Sequence, residues 1–285
     1  MASDSRFAVL IDADNVSVKY IKIILDEISK DGIATYKRIY GDWTNPSLIS
    51  WKSTLLDNSI IPIQQYSYTT GKNSTDSAMI IDAMDILYSG RVEGFCLVSS
   101  DSDFTRLAAR LRESGMTVIG MGESKTPNSF IAACNKFKYL DILSAADEEE
   151  LEEAAAPKAE PVKKAAQPKK AAPKAAKKPK EEPKAEKEKP AETKKQQEKA
   201  IEEPRTSLRT IRRSLRTIVR ENSDEDNWMM VSQVGNLLDK RYPDFDVRNF
   251  GFSKLTPFLE SLDLFEIKDL KKDGNSYAQK YVRLK

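Results

Sequence analysis

The sequence predicts an α/β protein with a mostly parallel sheet and helices on both faces, followed by a small C-terminal winged-helix domain. Residues 1–146 alternate short apolar runs with amphipathic stretches, which is the rhythm of β-α-β units. Residues 205–285 instead place three short helical patterns before a hairpin, the order typical of a winged helix. Residues 147–204 separate the two regions and predict a disordered linker.

The N-terminal region contains six apolar runs that we expect to form strands. They are residues 7–11, 33–40, 60–66, 95–99, 116–121 and 137–142. Amphipathic stretches that predict helices lie between them, at residues 16–30, 47–57, 76–89, 103–114 and 127–135. Right-handed crossovers then place the functional crevice at the carboxyl ends of the strands, near the switch in strand order.

The predicted linker has a composition that cannot form a core. Residues 147–200 contain seven prolines and no aromatic residue, and they are rich in Lys, Glu and Ala. Such a segment buries too little apolar area to offset its ordering entropy, and its prolines break the helix that Ala, Lys and Glu favour. We interpret it as a mixed-charge tether, in preference to a segment whose lysines grip RNA phosphate.

Composition excludes several classes of catalytic site. The 285 residues include no histidine and two cysteines, with 46 Lys and Arg against 44 Asp and Glu. Ser-His-Asp triads, histidine-ligated zinc and Cys₄ zinc are therefore excluded. The start of the sequence lacks the apolar core of a signal peptide, and no stretch approaches 18 apolar residues. We expect a soluble cytoplasmic protein without membrane contact, in which Cys96 and Cys134 are buried thiols.

Acidic residues gather where predicted strands end or helices begin. They are Asp12, Asp14, Asp76, Asp82, Asp101 and Asp103. If strands one and four are neighbours, their carboxyl ends bring Asp12 and Asp101 together. Crowded carboxylates repel one another unless a cation or protons hold them, and their oxygens suit Mg²⁺ or Mn²⁺. Such ions activate water without a histidine.

Two of these acids also have a structural interpretation. An Asp at a strand end is often a helix N-cap, and Asp103 precedes an amphipathic stretch in the position of a cap. Asp82 lies about two turns into a predicted helix, where a solvated role is as reasonable as a functional one. Two Asp-x-Asp pairs at two strand ends, together with Asp76, favour a metal site over coincidence.

Three segments, IDADN, KNSTDSAMIIDAMD and LVSSDSDF, resemble the NYN domain in order and spacing. This family is a branch of the PIN-like nucleases that includes the LabA-like bacterial proteins, and the resemblance covers about residues 5–143. It implies a PIN-like fold and a Mg²⁺- or Mn²⁺-dependent ribonuclease site. The implied catalytic, metal-binding acids are Asp12, Asp76, Asp101 and Asp103.

The same resemblance implies roles for the polar neighbours of these acids. Asn15 would orient the first acid or contact substrate, and Ser99 and Ser100 would hydrogen-bond the acids or a phosphate. Lys72 matches a basic position that would meet phosphate. Asp14 stands at a variable family position.

The C-terminal region begins with a helical stretch in which SLRTI occurs twice, at residues 207–211 and 214–218. This repeat predicts an apolar face formed by Leu208, Ile211, Leu215 and Ile218. The helix pattern, the segment Gly251 to Lys254 and the terminal hairpin resemble the OST-HTH/LOTUS domain, a winged-helix module implicated in RNA or protein binding. The candidate phosphate contacts are Arg209, Arg212, Arg213, Arg216 and Lys254.

The sequence therefore favours a metal-dependent endoribonuclease that carries an RNA-binding winged helix. One alternative is a non-catalytic RNA-binding or regulatory protein whose acids are structural. A second is a haloacid-dehalogenase-like phosphatase, because IDADNV resembles the first motif of that family, with Asp12 as nucleophile and Asp14 as acid. The later motifs of the phosphatase cannot be placed convincingly in this sequence.

Overall fold

The computed structural model describes residues 5–66, 74–155, 206–270 and 279–285. The N-terminal domain is built on six strands in the order β3-β2-β1-β4-β5-β6, and every neighbouring pair is parallel. The strands are β1 (Arg6–Asp12), β2 (Ile33–Gly41), β3 (Ile61–Gln64), β4 (Gly94–Val98), β5 (Thr117–Gly122) and β6 (Lys136–Tyr139). All six predicted strands are present, and the predicted parallel sheet is confirmed.

Helices cover both faces of this sheet, as predicted. They are α1 (Ile21–Asp31), α2 (Trp51–Asp57), α3 (Ser74–Ser89), α4 (Thr105–Glu113), α5 (Asn128–Ala133) and α6 (Leu140–Ala155). Alternate side chains of β1 enter two separate cores, with Val9 and Ile11 in one and Ala8 and Leu10 in the other. Helices α1, α2 and α6 close the first core, and α3, α4 and α5 close the second.

The end of the N-terminal domain differs from the prediction. Residues 140–142 were expected to extend the last strand, but β6 ends at Tyr139 and Leu140 begins helix α6. This helix runs to Ala155, past the domain boundary predicted at residue 146. The reason is local composition, because the segment is rich in Ala, Glu and Leu and its first proline is Pro157. The rest of the predicted linker lies outside the described residues.

The strand order reverses between β1 and β4, as the sequence analysis required. Strand β1 pairs with β2 on one side and with β4 on the other, with Ile11 in register with Val98. The residues that follow these two positions, Asp12 and Ser99, therefore meet at the same edge. In open parallel sheets this switch point is where ligands bind.

The C-terminal domain has three helices followed by a hairpin, the predicted winged-helix order. The elements are α7 (Leu208–Asn222), β7 (Met229–Met230), α8 (Val231–Arg241), α9 (Leu255–Ser261), β8 (Phe265–Leu270) and β9 (Gln279–Leu284). Strand β9 pairs antiparallel with both β7 and β8. The short strand β7 was not predicted, and the hairpin turn at 271–278 lies outside the described residues.

The predicted apolar face of α7 is wrong at one residue, Leu208. Leu208 is 41% exposed because it is the first residue of the helix, whereas Ile211, Leu215 and Ile218 are buried with Val219. The buried thiols were predicted correctly, and burial raises the pKa of both Cys96 and Cys134 to about 12. Among the described residues, no helix is long and apolar enough to cross a membrane.

Candidate metal centre

Three carboxylates meet at the carboxyl edge of the sheet. Asp76, Asp101 and Asp103 each offer one oxygen, and these three oxygens lie within 4.8 Å of one another. Asp76 is in the first turn of α3, while Asp101 and Asp103 are in the segment that follows β4. Two separate parts of the chain therefore supply one acidic group beside the strand switch.

The segment after β4 is shaped by an N-cap, but the capping residue is not the predicted one. The side chain of Asp101 accepts a hydrogen bond from the backbone N–H of Asp103 at 2.9 Å and so caps the single turn Ser102–Phe104. Phe104 is fully buried and anchors this turn. The side chain of Asp103, which the sequence favoured as a cap, is exposed and belongs to the acidic group.

Asp12 is adjacent to this group but outside it. Its side chain is fully buried at the end of β1. One carboxylate oxygen accepts hydrogen bonds from the Asn15 amide (2.7 Å) and the Ser99 hydroxyl (2.8 Å), and the other accepts the N–H of Asp14 (3.1 Å). Burial raises the pKa of Asp12, and these hydrogen bonds oppose that rise. The expected contacts of Asn15 and Ser99 with the first acid are present.

The two serines tie the acids to the neighbouring strands. Ser99 donates to Asp12 and its oxygen also accepts the N–H of Asp101 at 3.1 Å. Ser100 accepts the N–H of Glu123, just beyond β5, at 2.9 Å. The hydroxyls of both serines thus position backbone and acids, and a direct contact of either with phosphate is not needed to explain them.

A glycine that the sequence analysis missed makes this close packing possible. A Cβ atom at Gly122 would lie 2.6 Å from the Thr126 hydroxyl and 2.7 Å from the Ser99 carbonyl oxygen. Those distances are too short for any side chain, so only glycine lets β5 approach the end of β4 this closely. The only sequence signal for this role is a glycine at the end of a predicted strand.

Burial and the neighbouring carboxylates raise the proton affinity of Asp76. The pKa of Asp76 is raised to about 6, first by burial and then by the negative charges of Asp12, Asp101, Asp103 and Asp14. Neutral pH therefore holds this carboxylate ionised against strong repulsion, and a bound cation would relieve it. Among the individual charges, that of Asp12 has the largest effect on Asp76, so the buried acid acts on the group without joining it.

The remaining acidic candidates lie apart from the group. The carboxylate of Asp82 binds the Arg38 guanidinium and the Tyr40 hydroxyl. Asp82 therefore belongs to a structural hydrogen-bond network. It lies neither on a solvated helix face nor in the metal site, the two roles considered from sequence. Burial and this carboxylate raise the pKa of Tyr40. Asp14 is exposed. Lys72 lies outside the described residues.

The basic candidates of the C-terminal domain divide into two sets. Arg209, Arg213 and Arg216 are exposed along α7 at a spacing that places them on one face of a helix. Arg212 is partly buried and donates to the carbonyl of Leu262 at 3.2 Å, which fixes the end of α9. Lys254 is exposed immediately before α9. The structure therefore leaves three arginines as one continuous basic face.

The aromatic residues near Gly251 are part of the C-terminal core. Phe258 is fully buried, and the rings of Phe245, Phe250 and Phe252 lie 5.9, 5.3 and 5.6 Å from its ring. Trp228 was not predicted as a contact residue; its ring lies 3.7 Å from the Lys268 ammonium and 4.7 Å from the Arg283 guanidinium on the hairpin.

The pKa of Asp76 predicts how the metal-free protein responds to pH. Between about pH 4 and pH 6 the folded protein holds a proton that the unfolded chain releases, so this group lowers the free energy of unfolding as pH rises. We expect the free energy of unfolding of Asp76→Asn to exceed that of the wild type by about 1–2 kcal/mol at pH 7 in EDTA, which raises its unfolding temperature, and to match it near pH 4.

The control is Asp85→Asn, which changes an exposed acid on the same helix and should keep the wild-type pH dependence. Thermal unfolding followed by circular dichroism measures all three proteins. Equal stability of the wild type and Asp76→Asn at pH 7 would show that ionising Asp76 does not destabilise the folded protein.

Two family models match separate parts of this chain. The NYN domain model matches residues 6–141, and the OST-HTH/LOTUS domain model matches residues 206–277. A crystal structure of a protein of unknown function from Vibrio parahaemolyticus is similar, at 17% identity and a TM-score of 0.42, over 49% of this chain and 94% of that one. No curated protein matches the chain.

The two family matches agree with the sequence resemblance and with the order of the observed elements. NYN domains belong to the PIN-like nuclease superfamily, and OST-HTH/LOTUS domains are RNA-binding modules. Residues 6–141 of this chain are therefore an NYN domain, and residues 206–277 are an OST-HTH/LOTUS domain.

Proposed function

We propose that this chain is a metal-dependent ribonuclease that hydrolyses RNA phosphodiester bonds, with its C-terminal domain as an RNA-binding module. The observation that supports this most directly is the group formed by Asp76, Asp101 and Asp103 at the strand switch. Its members come from two chain segments, and burial together with the neighbouring negative charges raises the pKa of Asp76 to about 6. Crowded carboxylates of this kind lower the stability of the folded protein. Such groups are typical of functional sites, where a ligand offsets the cost.

The donor atoms of this group fit Mg²⁺ or Mn²⁺. Carboxylate oxygens are the ligands that hard divalent cations prefer, and two or three acids with open positions suit an ion that also binds substrate phosphate. Cys96 and Cys134 are buried elsewhere in the domain, so no sulfur competes for the choice of metal. We assign Asp76, Asp101 and Asp103 as the residues that hold the cation, with Asp12 behind them.

Each acid has a distinct place in the proposed mechanism. A divalent cation at this site supplies positive charge for the scissile phosphate and lowers the pKa of water. Asp76 lies in the wall of the site at 8% exposure, whereas Asp103 is open to solvent, so a polymer can approach from the Asp103 side. Asp12, held by Asn15 and Ser99, fixes the end of β1 and would add negative charge to a site that holds a cation.

The phosphatase alternative requires an accessible Asp12 side chain, but this side chain is buried. Asp12 would be the nucleophile, yet it has no exposed surface and both of its oxygens accept hydrogen bonds. A nucleophile must reach its substrate within about 3–3.5 Å, so the geometry opposes this alternative. The alternative of a non-catalytic RNA-binding protein is separated from the proposal by a cleavage assay.

The proposal predicts that loss of one acid removes RNA cleavage and leaves RNA binding. A mixed RNA pool is incubated with the wild type and with Asp101→Asn, each with Mg²⁺, Mn²⁺ or EDTA. We expect cleavage by the wild type with either ion and not with EDTA, and at least a ~100-fold slower rate for Asp101→Asn. Because the variant removes a negative charge, its RNA affinity should be equal or higher.

The matched control is Asp85→Asn, an exposed acid on α3, which should cleave like the wild type. Equal cleavage by the wild type and Asp101→Asn would indicate a contaminating nuclease and reject the site. Binding of RNA without cleavage under any metal would favour the regulatory alternative.

The exposed face of α7 predicts a salt-dependent contribution to RNA binding. Replacing Arg209, Arg213 and Arg216 together with Gln should weaken binding to single-stranded RNA and reduce the slope of log K against log salt by about 2. A control variant that changes Lys22, Lys52 and Arg91 to Gln alters the net charge equally at exposed positions of the N-terminal domain. An unchanged salt slope in the α7 variant would instead favour a protein partner for this domain.

A further inference from the structure

A buried carboxylate of the N-terminal domain forms an ion pair with an arginine of the C-terminal domain. Glu27, on α1, is 3% exposed. The guanidinium of Arg248 donates to its two oxygens at 2.6 and 3.0 Å, Lys138 on β6 pairs with it at 2.9 Å, and Lys30 on α1 donates to it at 2.5 Å. These cations hold the pKa of Glu27 far below its usual range against its burial. Of these three cations, Arg248 is the one that the C-terminal domain supplies, and removing a partner from a buried ion pair is destabilising.

The backbone of the two domains also meets at the free edge of the sheet. The N–H of Phe137, on the outer side of edge strand β6, donates to the carbonyl of Pro243 at 2.7 Å. Next to it, Asp244 is 5% exposed and accepts hydrogen bonds from the Tyr139 hydroxyl at 3.3 Å and from the Thr206 hydroxyl at 2.5 Å. The edge of a sheet is therefore covered by a specific segment of the same chain.

We propose that the C-terminal domain docks in cis on α1 and β6 of the NYN domain, with Arg248–Glu27 as the selective ion pair. The contacts are complementary in chemistry as well as charge, since an edge N–H meets a carbonyl and a buried carboxylate meets a bidentate guanidinium. The partner for this surface is thus a part of this chain, and the long segment between the domains connects two bodies that are already in contact.

Docking fixes where the RNA-binding helix begins. Thr206, which Asp244 holds, directly precedes Ser207, the N-cap of α7. Tyr139 lies at the carboxyl end of β6 in register with Gly122. Helix α7 therefore starts at the same edge of the sheet as the acidic group, with β6 two strands, about 10 Å, from β4. This consequence for RNA rests on the proposed function, whereas the docking itself does not.

The experiment is amide hydrogen exchange on the full-length wild type and on Arg248→Ala. In the docked protein the Phe137 amide is protected by Pro243, and the variant should lose about 100-fold of this protection, because breaking a buried ion pair weakens an interface by that order. Amides of the central strand β4 should be unchanged in both proteins. Arg241→Ala removes an exposed arginine from the same domain and should leave Phe137 protected.

A second measurement keeps the proposal testable if Arg248→Ala affects folding. A protease site is inserted in the segment 156–205 and cut in the purified full-length protein. The two halves should co-migrate in size-exclusion chromatography at the mass of one chain, and should separate when Arg248→Ala is present.

Three results would overturn the proposal. The first is a Phe137 amide that exchanges freely in the wild type, and the second is separation of the two halves after cutting without any substitution. The third is protection of the Phe137 amide only when the protein elutes at the mass of two chains. The cleavage assay is independent of all three, so failure of the docking is distinguishable from failure of the ribonuclease proposal.

Discussion

The hydrogen bond from the Ser99 hydroxyl to the Asp12 carboxylate, at 2.8 Å, joins the ends of the two strands on which the site depends. It exists because β1 and β4 are neighbours at the switch in strand order, the position at which open parallel sheets bind ligands. The same Ser99 oxygen positions Asp101, and the packing of β5 against Ser99 requires Gly122. One buried contact therefore organises the three segments that surround the acidic group.

The acidic group is the clearest departure from what stability alone would favour. Two chain segments bring Asp76, Asp101 and Asp103 together, and Asp12 adds a fourth negative charge nearby. Burial and these charges oppose ionisation of Asp76. A divalent cation bound here would relieve this repulsion, and under the ribonuclease proposal it would let a protein without histidine hydrolyse phosphodiesters. The ribonuclease proposal, the raised pKa of Asp76 and the placement of the site at the strand switch are three aspects of one arrangement.

Much of this could be predicted from sequence because it depends on local pattern. The alternation of apolar and amphipathic segments predicted the six strands and their covering helices, and the motif order predicted the residues at the strand ends. Features set by tertiary packing could not be predicted in this way. Asp101 caps the turn for which the sequence pattern favoured Asp103, and Asp82 pairs with Arg38 and Tyr40. Glu27 pairs with Arg248, which lies 221 residues away in sequence. None of these contacts has a periodic signal in the chain.

Direct binding of Mn²⁺ tests the central claim, that the three carboxylates form a cation site. The full-length wild type and an Asp101→Asn/Asp103→Asn variant are titrated with Mn²⁺ at pH 7.5, and the free ion is measured by electron paramagnetic resonance. The account predicts saturable binding by the wild type that excess Mg²⁺ displaces, and loss of that binding in the variant. Equal Mn²⁺ binding by the two proteins would contradict it.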